Sequence, residues 1–266
     1  MIQVYLLEVG DIRCRMEETA LSGDNPVAAG CAGGCGAVQK VPVEGTICKD
    51  LPGWDRLTPW QQDKISRCTQ TGNRALCMGG QLLLQYVAYK KGVTYNMRSL
   101  DDRKQVENRA VIWQQLYYPC LLEDIPAPFP LQVAYETHGK PYIVHMPWHY
   151  NLSHSGDYVA IAVGDEPVGI DIQQMRSYKD SLVRRFFSEK EAAAHECFAA
   201  AHNWGYRDRT ELFYALWCRK EAYGKLKGTG LTEDVLKRNM LEDVGAHLYE
   251  YGGIPGYRVC VCGGEI

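Results

Sequence analysis

The chain opens on Ile2-Gln3-Val4-Tyr5-Leu6-Leu7, a short apolar run whose branched and aromatic content predicts a first strand over residues 1–7. From residue 22 to about 57 the periodicity dissolves into Gly, Pro, Asp and Cys, which predicts a long loop or insertion. Order returns at Thr58-Pro59, a capping side chain followed by a proline suited to the first helical turn. A second helix is predicted from about Arg74 to Lys91, where Leu76, Leu83 and Val87 share a face and Gly92 supplies a stop. A third is predicted from about Leu100 to Tyr118, with Asp101 and Asp102 in its first turn and Val106, Ala110 and Trp113 as its stripe.

Beyond Pro126, Pro128 and Pro130 the spacing changes to that of strands. The runs 158–164 and 168–172 are rich in branched residues and are joined by Asp165-Glu166-Pro167, a predicted turn. Helices are predicted at about 188–200 and 210–227, the second ending near Gly228-Thr229-Gly230, and residues 257–262 read as a last strand. The order β, α, α, α, β, β, α, α, β predicts an α+β fold rather than a doubly wound sheet. Each half offers strands plus packed helices, a plan that fits a pseudo-dimer.

Composition narrows the classes. The 266 residues suffice for one large domain or two small ones, and 46% apolar with 23% charged residues is ordinary globular content. A net charge of −3 gives no overall footprint for nucleic acid, so an anionic ligand must be held by a local group of Lys and Arg. The first residues lack the basic flank and cleavage site of a signal peptide, and no apolar run approaches bilayer length. A cytoplasmic protein with neither nucleic-acid nor membrane partners is expected. The 11 cysteines are odd in number and scattered, which favours reduced thiols; Cys31, Cys35 and Cys48 lack the second ligand pair of a structural zinc site.

Four polar elements carry candidate chemistry. Gly169-Ile170-Asp171-Ile172-Gln173 alternates, so Asp171 and Gln173 share the strand face opposite Ile170 and Ile172. An aspartate at the centre of an apolar strand must be solvated, paired or bound to a metal. Phe187-Ser188-Glu189-Lys190-Glu191 has the spacing of a helix capping box, which accounts for Glu191 without catalysis. In Trp217-Cys218-Arg219-Lys220-Glu221-Ala222-Tyr223-Gly224-Lys225, Trp217, Glu221 and Lys225 share a helix face, as a core Trp beside a surface Glu–Lys pair also would. Asn151-Leu152-Ser153-His154-Ser155-Gly156 reads as a polar turn or an anion-binding loop, with Lys140 upstream.

Taken together and in this order, these elements resemble the Sfp-type 4'-phosphopantetheinyl transferases. Gly139-Lys140-Pro141, Pro255-Gly256-Tyr257 and the final strand add to the likeness. It covers about residues 138–266, is diffuse over 64–84 and is absent over 22–57. The resemblance implies a pseudo-dimer of two similar α/β lobes, 1–166 and 167–266, with coenzyme A between them and the final strand free to pack back on the first lobe.

It further implies transfer of phosphopantetheine from coenzyme A to a serine of an apo acyl or peptidyl carrier protein, by a monomer that depends on magnesium. Asp171 and Glu221 would ligate the Mg2+, with Gln173 where the family commonly has an acid. Glu191 would be the base on the carrier serine, and Lys225 would lie on the phosphate under attack. Lys140, Ser153, His154 and Arg74 would hold the 3'-phosphate and adenosine end, and Lys220 is also assigned to cofactor binding. Gln173 removes one negative charge and motivates the alternative, a coenzyme A-binding pseudoenzyme or regulatory module.

Overall fold

In the computed structural model, which describes residues 1–22, 49–97, 111–198, 206–242 and 244–264, helices and strands interleave as a mixed α/β chain. In order these are β1 (Ile2–Glu8), α1 (Gly10–Ser22), a 3₁₀ turn (Trp54–Arg56), α2 (Pro59–Ser66), α3 (Thr71–Met97), β2 (Val111–Leu116), α4 (Tyr118–Glu123), β3 (Val133–Tyr135) and β4 (Pro141–Ile143). Then come β5 (His149–Ser155), β6 (Tyr158–Gly164), β7 (Val168–Gln174), α5 (Asp180–Phe186), α6 (Glu189–Glu196), α7 (Arg209–Lys227), α8 (Glu233–Lys237), β8 (His247–Tyr251) and β9 (Tyr257–Gly263). The larger sheet has the order β2-β1-β6-β5, the smaller β7-β9-β8, and β3-β4 is a separate hairpin. Strands β1 and β2 are parallel; the other pairs are antiparallel.

Alternation along the strands sorts the core into layers. Val159, Ile161 and Val163 of β6 join Tyr5 and Leu7 of β1 against α3, where Leu82, Leu83 and Val87 are buried. The opposite face of the same strands presents Val4, Leu6, Ala160 and Ala162 to Val168, Ile170, Ile172, Val259 and Val261 of the smaller sheet. The two small alanines leave room for the second sheet, and each fully buried Val, Leu or Ile in this layer stabilises by about 1.5–3 kcal/mol. Helix α7 covers the far side, with Leu212, Leu216, Ala222 and Leu226 buried.

The seam between the sheets is polar at one edge. Strands β5 and β7 are not paired in a ladder, yet three side chains of β5 bridge them. The backbone N–H groups of Ile170, Ile172 and Gln174 donate to Asn151 Oδ1 (3.0 Å), Ser153 Oγ (3.4 Å) and Ser155 Oγ (3.0 Å). The constant offset follows from two-residue periodicity on both strands. The stretch expected as a polar loop is therefore a strand up to Ser155, with the turn at Gly156.

Other expectations change as well. Residues 111–116 form a strand on the open edge of β1 rather than the end of a third helix; parallel pairing with β1 suits the Val-Ile-Trp run better than a helical stripe. Val106 and Ala110 lie outside the described residues. Helix α3 runs through Gly92 to Met97, because one interior glycine costs only about 1 kcal/mol. Most of the loop expected over 22–57, with Cys31, Cys35 and Cys48, also lies outside the described residues; its end holds buried Leu51 and Leu57 around the 3₁₀ turn. Thr58 does cap α2, in a capping box with Gln61. The cysteines among the described residues are free thiols, and no helix there is long and apolar enough to cross a membrane.

A buried histidine ties α6 to the start of α7. Arg209 Nη2 lies 3.1 Å from His195 Nδ1, and Tyr178 Oη lies 2.6 Å from His195 Nε2. A guanidinium only donates, so Nδ1 accepts, and the imidazole proton sits on Nε2 facing the tyrosine oxygen. Burial, then the Arg209 charge, holds this histidine below its ordinary pKa, with Asp180 and Glu196 opposing. The unfolded chain therefore takes up a proton that the folded chain refuses. Stability is expected to fall as pH drops below about 6.5, by at most about 1.4 kcal/mol per pH unit for one group, and to level once the folded-state value is passed. Melting temperatures between pH 7.5 and 5.5 check this. His195→Gln, which keeps one acceptor and one donor, should flatten part of the slope.

Candidate active site

The site is built where α7 crosses β7. Gly169 makes that crossing possible: a methyl group there would sit on the Ala222 carbonyl oxygen and 2.5 Å from the Leu226 nitrogen. Two residues on, on the same strand face, Asp171 points at α7 and is 1% exposed. Its Oδ1 accepts from Lys225 Nζ at 2.7 Å and from Ser153 Oγ at 2.8 Å; Lys225 Nζ is itself 2.9 Å from Ser153 Oγ. On the other side, Gln173 Nε2 donates to Asp171 Oδ2 at 3.0 Å. A hydroxyl, an ammonium and a carboxylate thus close a triangle joining β5, β7 and α7.

Glu221 lies one helical turn before Lys225, so both project from one face of α7. Burial raises the Glu221 pKa first and the Asp171 charge raises it further, while Lys225 opposes. Among the described residues no hydrogen bond engages its carboxylate. His154 is held below its ordinary pKa by burial of its ring, then by Lys225, with Asp171 opposing. Its base is therefore a neutral imidazole beside the triangle at pH 7.

This donor set suits a hard divalent cation. Burial and the Asp171 charge oppose ionisation of Glu221, a cation shared by the two carboxylates would relieve that opposition, and oxygen ligands are what magnesium takes. The Lys225 ammonium balances the charge of Asp171. The Gln173 amide is turned with its donor inward. No group of three or more His, Cys, Asp or Glu suited to a metal occurs among the described residues.

The remaining expected residues are distributed elsewhere. Lys140 caps the C-terminal end of α7 by donating to the Leu226 carbonyl at 2.9 Å; burial lowers its pKa while Glu136 opposes. Arg74, in the first turns of α3, donates from Nε to the Cys68 carbonyl at 2.9 Å. Neither is hydrogen-bonded to His154. Lys220 does not face the site: its ammonium is 0% exposed and spent on Glu191 (2.7 Å) and on the carbonyls of Leu236 (2.8 Å) and Arg238 (2.6 Å). Lys220, expected at the cofactor, points from α7 toward α6 and α8 and makes its contacts there. Burial pulls its pKa down, with the Glu191 carboxylate opposing.

Glu191 is also 0% exposed and forms the capping box with Ser188. Ser188 N (2.7 Å), Ser188 Oγ (2.9 Å) and Lys220 donate to its Oε2, and Met240 N donates to its Oε1 at 2.8 Å. As it stands, this carboxylate has no surface on which to meet a substrate.

Sequence reasoning missed Asn151 and Ser155 as rungs of the seam, Gly169 as the contact that admits α7, and Cys218, buried beneath Asp171 with its pKa pushed up first by burial. The i, i+2, i+4 run of Asn151, Ser153 and Ser155 was an available signal for a polar strand face.

A mixed α/β fold whose two main sheets meet at a pair of acids and a lysine agrees with what comparison with known proteins finds. Residues 167–251 match the 4'-phosphopantetheinyl transferase superfamily, a span that includes Asp171, Gln173, Glu191, Glu221 and Lys225. A putative 4'-phosphopantetheinyl transferase of Synechocystis sp. is 30% identical over 190 residues, 67% of this chain and 70% of that protein. Sfp of Bacillus subtilis strain 168 is 31% identical over 146 residues, 50% of this chain and 62% of Sfp. Another 4'-phosphopantetheinyl transferase of B. subtilis is 37% identical over 106 residues, 40% of this chain and 45% of the relative. The chain therefore spans roughly half to just under two thirds of these Bacillus relatives. It belongs to the Sfp-type 4'-phosphopantetheinyl transferase family.

Proposed function

We propose that the protein transfers the 4'-phosphopantetheine group of coenzyme A to a serine of an apo acyl or peptidyl carrier protein. The observation that carries this reading is the convergence of Asp171, Ser153 and Lys225 within 2.9 Å of one another, with Glu221 on the adjoining face of α7, inside a chain of this family. The two sheets, one from residues before 165 and one from residues after 167, support a division into two lobes with the ligand at their junction.

In the reaction the serine hydroxyl releases its proton to solvent and its oxygen forms a bond to the phosphorus that bears pantetheine. The pyrophosphate bond breaks, and adenosine 3',5'-bisphosphate leaves. Asp171 and Glu221, with Gln173 beside them, would hold magnesium, which when bound supplies charge neutralisation at the pyrophosphate oxygens. Lys225 then exchanges its contact with Asp171 for the phosphate under attack and holds the charge that develops there. Ser153, hydrogen-bonded to Asp171, keeps that carboxylate turned toward α7. Lys140, His154 and Arg74 are assigned to the 3'-phosphate and adenosine end; each carries donors, and His154 adjoins Lys225 in charge. Positioning and charge do most of the work in phosphoryl chemistry, which suits a site with few reactive groups.

Incubation with coenzyme A, magnesium and a panel of apo carrier proteins, read by intact mass, tests the reading. A carrier that gains one phosphopantetheine is the expected result. One feature favours a second reading, a coenzyme A-binding module without turnover: Gln173 turns a donor, not a ligand oxygen, to Asp171. Saturable coenzyme A binding with no carrier modified would select that reading, and absence of both would overturn the two together.

A further inference from the structure

We infer that Glu191 and Lys220 form a buried strut that holds α7 in register against β7, and that Glu191 acts by positioning Glu221 and Lys225 rather than by touching the carrier serine. The inference deepens the transferase reading and rests on it for the readouts of turnover.

Geometry favours the strut. Both side chains are 0% exposed. Glu191 stands three residues into α6 and accepts from Ser188 N, Ser188 Oγ, Lys220 Nζ and Met240 N, so it joins the α6 cap, α7 and the segment after α8. Lys220 accounts for the other half: one contact is Glu191, and the others are the carbonyls left open around the end of α8, at Leu236 and Arg238. Among the described residues, every hydrogen-bond partner of the carboxylate is a donor, and every hydrogen-bond partner of the ammonium is an acceptor. Lys237 extends the same junction by donating to the Phe187 carbonyl at 3.1 Å.

The chemistry argues in the same direction. A general base must reach the proton it removes and then hold it. A proton arriving on either oxygen of Glu191 would meet a hydrogen already pointing there. A carboxylate enclosed by donors is instead a fixed acceptor, and a buried ion pair of this kind fails when one member is removed.

The position explains why the strut bears on the site. Lys220 and Glu221 are consecutive, and Lys225 follows one turn later on α7. On its other side α7 lies against Gly169 so closely that a methyl group has no room. Contacts from α6 and the α8 segment press the helix into that groove. A small rotation or lift of α7 would separate Lys225 and Glu221 from Asp171, which stays on β7.

The experiment uses full-length protein carrying Glu191→Gln, Lys220→Met and the two together. Glutamine cannot satisfy Glu191's surroundings, because its NH2 must face either Met240 N–H or the Ser188 and Lys220 donors. Under the strut each single variant loses stability, by about 5 °C or more in Tm. The folded fraction needs several-fold more magnesium for half-maximal turnover, with the pH–rate profile unchanged in shape. The double variant is no less stable than either single one, since the pair is already broken. Failure of Glu191→Gln to fold is the limiting case of that loss, and the magnesium and pH readouts then pass to Lys220→Met.

The strut is overturned if Glu191→Gln keeps wild-type Tm and magnesium dependence but turns over about a hundred-fold slower with recovery at high pH, the signature of a lost base. Strictly additive losses in the double variant would overturn it as well. If the wild type modifies no carrier at all, the transferase reading fails, while the Tm readouts still decide whether the pair acts as a unit.

Discussion

Asp171→Asn is expected to lower carrier modification at ordinary magnesium by at least about a hundred-fold, with the protein still folded. Both oxygens of Asp171 face donors: Ser153 and Lys225 on Oδ1 and Gln173 on Oδ2. An amide must turn its NH2 toward one of them, so it loses the charge that would hold a cation and the acceptor that orients Lys225. Lys225 is 26% exposed and can swing to water, so the stability loss should fall below the about 3–5 kcal/mol of a fully enclosed pair. Glu221→Gln should match the loss of turnover and differ in stability. Burial and Asp171 already resist ionisation of Glu221, so neutralising it should leave Tm at or above wild type. Gln173→Glu is the converse: a third carboxylate should lower the magnesium needed for half-maximal turnover. Rates are read by intact mass of the carrier, and stability by thermal melts. If Asp171→Asn and Glu221→Gln both retained near wild-type rates and magnesium dependence, the metal assignment would be wrong.

Gly169→Ala should produce the largest loss of stability. The added methyl group would overlap the Ala222 carbonyl and approach the Leu226 nitrogen to 2.5 Å, both backbone atoms of α7 that no rotamer change can move. Helix α7 would have to lift from β7, breaking the Asp171–Lys225 contact and opening the layer around Ala222 and Leu226. A cost of about 4 kcal/mol or more is expected, about 10 °C in Tm, with activity lost beyond the unfolded fraction because the site itself is displaced. Gly72→Ala is the control. Its methyl group meets nothing within 4 Å, and it lies in the first turn of α3, so stability should hold or rise by up to about 1 kcal/mol. Equal effects of the two substitutions would remove close helix–strand contact as the reason for Gly169.

Elements whose signals are local were legible in the sequence. The first strand, the capped start of α2, the β6–turn–β7 unit, the body of α7 with its glycine end, and the last strand all lie within a few residues of expectation. Helices α1, α4, α5 and α8 were not foreseen, nor were strand β2 and the short strands β3, β4 and β8. Each of these strands is an edge or a hairpin arm whose extended form depends on a neighbour far along the chain, as Val111–Leu116 depends on Ile2–Leu7. The polar run from Asn151 showed its alternation yet read as a loop, because the N–H groups it serves belong to another strand.

The same division runs through the site. Sequence by itself determined that Asp171 sits on a strand between apolar neighbours, that Trp217, Glu221 and Lys225 share a helix face, and that Ser188 and Glu191 form a cap. These follow from periods of two and 3.6 residues and from capping chemistry, which act over one turn of chain. What each group pairs with was decided by the tertiary structure. Asp171 receives Lys225 from 54 residues away, Lys140 is drawn to the end of α7 86 residues away, and Glu191 takes Met240 N from 49 residues on. Whether a carboxylate is a ligand, a base or a strut depends on the donors that packing brings to it and on whether solvent reaches it. That environment is set by how α7 seats on β7 and how α6 and α8 close behind it, contacts that no local pattern encodes.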